Sequence, residues 1–215
     1  MSIKTKEYAL LGGGGLAIEI AEYMLSEGYR LCGYYDPRED GDSSAVMPYL
    51  GDEQREFSRN VSYIVGAGLI ALRLKMISFI ENNHLEAGTF ISRNAYVSSL
   101  ANIGKGAVIC PFAVVSGNPR MGDYVLMNYM SNVAHHANLG RNVVLAPGAR
   151  VNGHCTLGDN VSLGANSALV PGTKIGNNIE IGITTFPRKI VRDNVLVVSK
   201  PGRELPNFKS LWRDN

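Results

Sequence analysis

The sequence predicts a mixed fold in two parts, a small βαβαβ unit followed by a parallel β-helix. Two periodicities and one motif predict it. Every sixth residue from Ile91 (Ile91, Val97, Ile103 and onward to Ile175 and Ile181) is aliphatic, sixteen consecutive positions without a break in phase. Gly104, Gly122, Gly140, Gly158 and Gly176 recur every eighteen residues on top of it. In the first part, the glycine cluster Gly12 to Gly15 separates a short apolar run from an amphipathic segment.

A period of six excludes an amphipathic helix, whose apolar positions recur near 3.6. Three hexapeptides per eighteen residues describe a coil with three short sides and a corner after each. The aliphatic positions then form an inward column, and the small or β-branched residues two places before them (Ala95, Ala101, Ala107, Ala113, Ser131, Ala137, Ala149, Cys155, Val161, Ser167, Thr173) form a second one. Coils stack at strand spacing, about 4.8 Å. The repeat spans about residues 91 to 186, roughly five coils. Glycine every eighteen residues is expected at corners where the backbone turns to positive φ. The sixteen aliphatic positions are expected to be buried.

In the first part, Tyr8 to Leu11 predicts a buried strand, and Ile18 to Leu25 a helix that Gly28 stops. Leu31 to Tyr35 predicts a second strand that ends at Asp36-Pro37, and Val61 to Val65 a third, followed by Gly66-Ala67-Gly68. Residues 38 to 60 read as a loop with room for one short helix, and Ile70 to Asn82 as a second helix. Gly12, Gly14 and Ala17 match G-x-G-x-x-A after a strand and before a helix, with an acid, Asp36, at the end of the next strand. Such a loop offers amides and a helix N-terminus to phosphate, and the carboxylate accepts hydrogen bonds from ribose or base. The unit is half the size of a full dinucleotide-binding domain, so a nucleoside diphosphate fits it better than NAD. The expected division is residues 1–88 for the nucleotide-binding α/β domain, 89–198 for the β-helix and 199–215 for a C-terminal tail, in which Phe208, Leu211 and Trp212 are expected to pack on a neighbouring chain.

Composition narrows the function class. A net charge of +2 is too weak for a nucleic-acid surface. Three scattered cysteines, Cys32, Cys110 and Cys155, give neither a disulfide framework nor a metal spacing and suit a reducing, cytoplasmic setting. No apolar run approaches the ~20 residues that cross a bilayer.

The run Ile103-Gly104-Lys105-Gly106-Ala107-Val108-Ile109 and its echo from Leu157 to Gly164 resemble the left-handed β-helix acyltransferase superfamily. That resemblance implies a left-handed helix, an exception to the usual right-handed crossover, and a homotrimer with acyl-CoA between neighbouring β-helices. The glycine-loop unit in front narrows it. The whole chain resembles the bacterial N-acetyltransferases acting on nucleotide-linked 4-amino sugars and the related sialic-acid O-acetyltransferases. The resemblance implies contacts to the nucleotide sugar from Gly14, Gly15, Asp36 and Gly68. The chain departs from the family's pattern at Leu16, where a histidine is usual, and at Leu69-Ile70, where polar residues are usual.

Four histidines are candidates for the base that amine acylation needs. His84 ends a polar helix tail and is expected to be solvated. The resemblance places the catalytic base at His135, with His136 where the family has Glu or Asp, and with Val144 where it has a second histidine. It assigns Gly153 N–H to the thioester oxygen and Ala165 to the CoA path. The eighteen-residue period stacks His154 on His136 and Gly153 on His135. A zinc centre is not expected from this cluster, because neighbours on a strand point to opposite sides. The reading is an acetyl-CoA-dependent N-acetyltransferase of a nucleotide-linked amino sugar, with no metal cofactor and no nucleic-acid or membrane partner, serving glycan assembly. Sugar O-acetylation, a non-catalytic nucleotide-sugar-binding trimer and a metal-dependent hydratase are the alternatives.

Overall fold

The structure is a computed structural model that describes residues 6–39 and 41–199. The tail with Phe208, Leu211 and Trp212 lies outside the described residues.

The first part is β1 (Glu7–Leu11), α1 (Gly15–Ser26), β2 (Arg30–Tyr35), β3 (Tyr49–Gly51), β4 (Ser62–Val65), α2 (Ile70–Asn82) and β5 (Glu86–Ala87). The five strands form one parallel sheet in the order β3-β2-β1-β4-β5. Alternation along β1 assigns the faces. Tyr8 and Leu10 pack with Ile20, Ala21 and Met24 of α1, and Ala9 and Leu11 with Ile77 and Ile80 of α2. Between residues 38 and 60 the expected loop holds a 3₁₀ turn, Asp42–Ala45, and also the strand β3. β3 and β5 are too short to carry a period of two, which is why the sequence does not announce them.

From Phe90 onward the chain winds through three parallel sheets of two- and three-residue strands. The first face runs from Phe90–Ile91 to Leu196–Val197, the second from Tyr96–Val97 to Ala168–Leu169, and the third from Asn102–Ile103 to Ile190–Val191. Partners lie eighteen residues apart, as in Val114 with Asn132 and Asn132 with Arg150. The aliphatic column is buried from Ile109 through Ile181, while Ile91, Val97 and Ile103 in the terminal coil are half-buried. Coiling continues past residue 186, where Lys174 pairs with Ile190 and Glu180 with Leu196. The last coil is two residues short, and that shift hides it from an eighteen-residue phase.

The glycine expectation is corrected. Gly104, Gly122, Gly140, Gly158 and Gly176 do not have positive φ. They are small because a Cβ there would collide with the next coil; at Gly122 it would come within 2.7 Å of the Gly140 carbonyl. Positive φ falls two residues later and then every six residues, at Tyr124, Met130, His136, Asn142, Gly148, His154, Asn160, Asn166, Gly172 and Asn178. Asparagine, histidine and glycine tolerate that region best, so the corner's real signature is mixed, and glycine alone does not reveal it.

One corner and one face are tied to the first part. After the third face, Asn142, Asn160, Asn178 and Asn194 form a ladder of side-chain amides at 2.9–3.0 Å. Arg73 of α2, fully buried, caps it: its guanidinium donates to Asn142 Oδ1 (2.7 Å), to the Tyr124 carbonyl (2.6 Å) and to the Ala67 carbonyl (2.9 Å). Burial lowers its pKa to about 10, still far above neutrality, so it keeps its charge at pH 7. On the first face, the outward residues Phe90, Val108, Leu126 and Val144 join the α1 core. The next outward residues, Ser162 and Glu180, are polar and leave that core.

Candidate active site

Where the outward row of the first face turns polar, a cleft opens between the two parts. It encloses about 230 Å³ and is lined by Leu16 and Gly68 from the first part and by Asn128, Ala146, Ser162 and Glu180 from the β-helix. A wider cleft of about 630 Å³ adjoins it, between Leu69, Ile70 and Leu74 and the Asn160, Asn178 and Glu180 side. The glycine loop leads directly into Leu16, which lines the narrower cleft. Gly12 has φ +98, which only glycine adopts freely. A Cβ on Gly13 would strike the Tyr34 ring, whereas a Cβ on Gly14 would meet nothing within 4 Å. Gly14 therefore precedes α1 with open space above it, and no side chain caps that helix end.

Asp36 does not wait with a free carboxylate. Its Oδ2 accepts from Gly13 N–H at 2.8 Å and its Oδ1 from Arg38 N–H at 2.9 Å. Its first task is to hold the glycine loop against the end of β2. Gly15 lies 3.8 Å, by its absent Cβ, from Asp42, and Gly68 lies 3.6 Å from Leu16. Asp36 thus anchors the loop that carries Gly14 and Gly15, and Gly68 lines the cleft beside Leu16, the residue that follows that loop. Leu16 supplies an apolar wall where the resemblance has a histidine.

The histidines stand elsewhere, on the corner after the second face. His135 is exposed, and its ring occupies the space a side chain at Gly153 would fill. His136 and His154 have φ of 57° and 61°, and their rings stack in parallel, 5.0 Å between centroids with an interplanar angle of 4°. Side chains do not alternate at this corner as they do along a strand. Positive φ at His136 turns its side chain back, so that His135 Nδ1 and His136 Nδ1 are 3.2 Å apart. Among the described residues, His136 is the hydrogen-bond partner of the His135 ring, and Gly153 N–H meets no acceptor. Val144 is buried under the first part. Ala165 lies on the corner after the first face, at the opposite edge of the second face from Gly153. One chain therefore places the glycine loop, Asp36 and Gly68 in the first part, and separately brings His135, His136 and Gly153 together, but does not join the two groups. Sequence reasoning missed Arg73 and the cleft-lining Ser162 and Glu180. The signal for Ser162 and Glu180 was the switch from apolar to polar in the outward row Phe90, Val108, Leu126, Val144, Ser162, Glu180.

No family model matches the chain, and no curated protein matches it. Solved structures do. The acetyltransferase domain of PglB from Neisseria gonorrhoeae, in complex with acetyl coenzyme A, superposes with a TM-score of 0.83 at 24% identity, covering 94% of this chain and 100% of that one. The chain has the fold of that acetyltransferase domain. PerB from Caulobacter crescentus, in complex with CoA and GDP-perosamine, gives 0.82 at 23% identity over 93% of this chain and 97% of its own. WeeI from Acinetobacter baumannii gives 0.82 at 23% over 94% and 100%. Both parts of the chain, in the same order, share this fold. Among the described residues no helix is long and apolar enough to cross a membrane.

Proposed function

We propose that the chain is an acetyl-CoA-dependent N-acetyltransferase acting on the amino group of a nucleotide-linked amino sugar. The observation that carries this reading is the whole-length likeness to PerB, which was solved with CoA and GDP-perosamine. It is supported by an exposed histidine beside an unpaired backbone donor, and by a glycine loop whose uncapped helix N-terminus is open to a sugar diphosphate. Residues 1–88 act as a Rossmann-like nucleotide-sugar-binding domain, residues 89–198 as a left-handed β-helix, and residues 199–215 as a tail. The enzyme works in the cytoplasm.

The diphosphate docks at Gly14 and Gly15, whose loop Asp36 holds in place, and Gly68 lets the sugar approach the β-helix. His135 takes the proton as the amine attacks the thioester, using Nε2. With Nε2 free to act as the base, Nδ1 carries the ring's proton and donates it across the 3.2 Å contact to His136 Nδ1. His136 thus orients His135 as an acid would, without an acid's charge, and His154 braces His136 by stacking. Gly153 N–H faces the thioester oxygen as its charge develops.

A trimer resolves the separation seen in one chain. The cleft lies at one edge of the second face and the histidines at the other, six extended residues apart, roughly 20 Å. A neighbouring chain that packs against the second face sets its own first corner, with Ala165 and the glycine-loop cleft, against this chain's His135 and Gly153. Exposed Tyr96, Val114, Phe112 and Met130 on and beside that face suit such a contact. Turnover of acetyl-CoA against UDP-, dTDP- and GDP-linked amino sugars, followed by CoA release, tests the reading. Transfer to a hydroxyl sugar nucleotide instead would favour the sialic-acid type of O-acetylation. Binding of nucleotide sugar without turnover would favour a binding trimer.

A further inference from the structure

The histidine corner has a second chemical capacity, independent of acetyl transfer. Three imidazoles converge there, all exposed, with donor atoms within 4.8 Å of one another. Their centroids form a nearly equal triangle of 5.0, 5.1 and 5.4 Å. A tetrahedral zinc-type ion takes imidazole nitrogens at about 2.0–2.1 Å, which places two of its donors roughly 3.3 Å apart. His135 Nδ1 and His136 Nδ1 already stand 3.2 Å apart.

The fold explains why this pair is preformed. On a strand, adjacent side chains diverge. His136 lies at the left-handed corner position, φ 57°, and His154 repeats that conformation one coil on, φ 61°. The ring of His154 is stacked parallel on that of His136, so their in-plane lone pairs do not meet as they stand. A rotation about its own side-chain torsions, in solvent, turns its lone pair toward the same point. An all-imidazole donor set is a poor ligand for calcium or magnesium, which take oxygen, and a good one for zinc, cobalt, nickel or copper.

We propose that His135, His136 and His154 form a site for one divalent first-row transition ion, whose binding withdraws His135 from acetyl transfer. The ion is a reversible blocker and plays no part in the reaction. Three neutral imidazoles donate three lone pairs, and a water completes the tetrahedron. The proton shared between the two Nδ1 atoms passes to solvent, and the imidazole that loses it is reprotonated at Nε2, so ligand charge is unchanged.

The inhibitory half rests on His135 being the base; the binding half does not, and the test separates them. Untagged, chelator-treated protein is titrated with Co²⁺ and read by visible d–d absorption. The expected result is a saturable four-coordinate spectrum with one ion per chain, bleached by Zn²⁺. His136→Asn and His154→Asn keep a residue that tolerates positive φ, and each weakens the site by about tenfold or more, a loss of about 1.4 kcal/mol or more. His84→Ala leaves it unchanged. Absence of a saturable band, or an unaltered band in the His136→Asn/His154→Asn double variant, overturns the site. A normal Co²⁺ site in an enzyme whose acetyl transfer ignores Zn²⁺ overturns the inhibitory half, and with it the base role of His135.

Discussion

His136 occupies a backbone conformation that histidine tolerates and most residues do not, and that conformation decides where its ring goes. The eighteen-residue period made the His136–His154 stack legible in the sequence. The 3.2 Å contact to His135 was not legible, because it depends on a φ that no periodicity encodes. His135→Ala is predicted to lower kcat by roughly 10²–10⁴-fold, the range for losing a general base, with Tm unchanged because the residue is exposed. His136→Asp supplies a charged acceptor to the same Nδ1 from a residue that tolerates positive φ, and is predicted to preserve or raise kcat. Loss of activity in that variant would mean that the imidazole itself, not the hydrogen bond it accepts, is needed. The glycine loop separates in the same way. Gly14→Val meets open space and is predicted to leave Tm intact while abolishing nucleotide-sugar binding by calorimetry. Gly13→Ala meets the Tyr34 ring and is predicted to lower Tm. Two variants with the same Tm would remove the argument that Gly14 faces a ligand and Gly13 the core.

At the scale of the element, the coil corner is where sequence and structure part company most. The glycines at eighteen-residue spacing are legible, but the reason for them is coil-to-coil approach and not a left-handed turn. Gly140→Ala pushes against the Gly158 backbone, which cannot yield without moving a coil, and is predicted to cost about 1–3 kcal/mol in urea denaturation. Gly172→Asn, at φ +73 with only the end of Lys189 nearby at 3.5 Å, is predicted to change stability by less than about 1 kcal/mol. The reverse order would restore the turn explanation. Helix α2 was legible to the residue at both ends, yet its most consequential side chain was not, since a lone arginine on a helix reads as surface. Arg73→Met keeps the volume and strands Asn142 Oδ1 and two carbonyls. It is predicted to cost on the order of 3 kcal/mol. Denaturation of that variant at the wild-type midpoint would mean that the two parts are held by the α1 contacts alone.

At the scale of the whole molecule, the two-part architecture was legible from period and motif, but the separation of cleft and histidines was not. It emerges only when the three faces are placed around the coil, because corners that are close in sequence phase lie on opposite edges of one face. If each site is built from two chains, Gly14→Val and His135→Ala proteins, each inactive, recover activity when unfolded and refolded together as mixed trimers. No recovery, or a monomer mass by sedimentation, would place the whole site in one chain and contradict the assembly. The central claim is acetyl transfer to a sugar amine, and the most direct measurement is the product itself. Wild-type and His135→Ala protein are incubated with acetyl-CoA and a panel of nucleotide-linked amino sugars, and the sugar nucleotides are analysed by mass spectrometry before and after mild alkali. The account predicts that the wild type adds one acetyl group to at least one of them, that the group survives alkali as an amide does, and that the His135→Ala protein adds it far more slowly. An unmodified panel, or an acetyl group that alkali removes as it removes an ester, would contradict it.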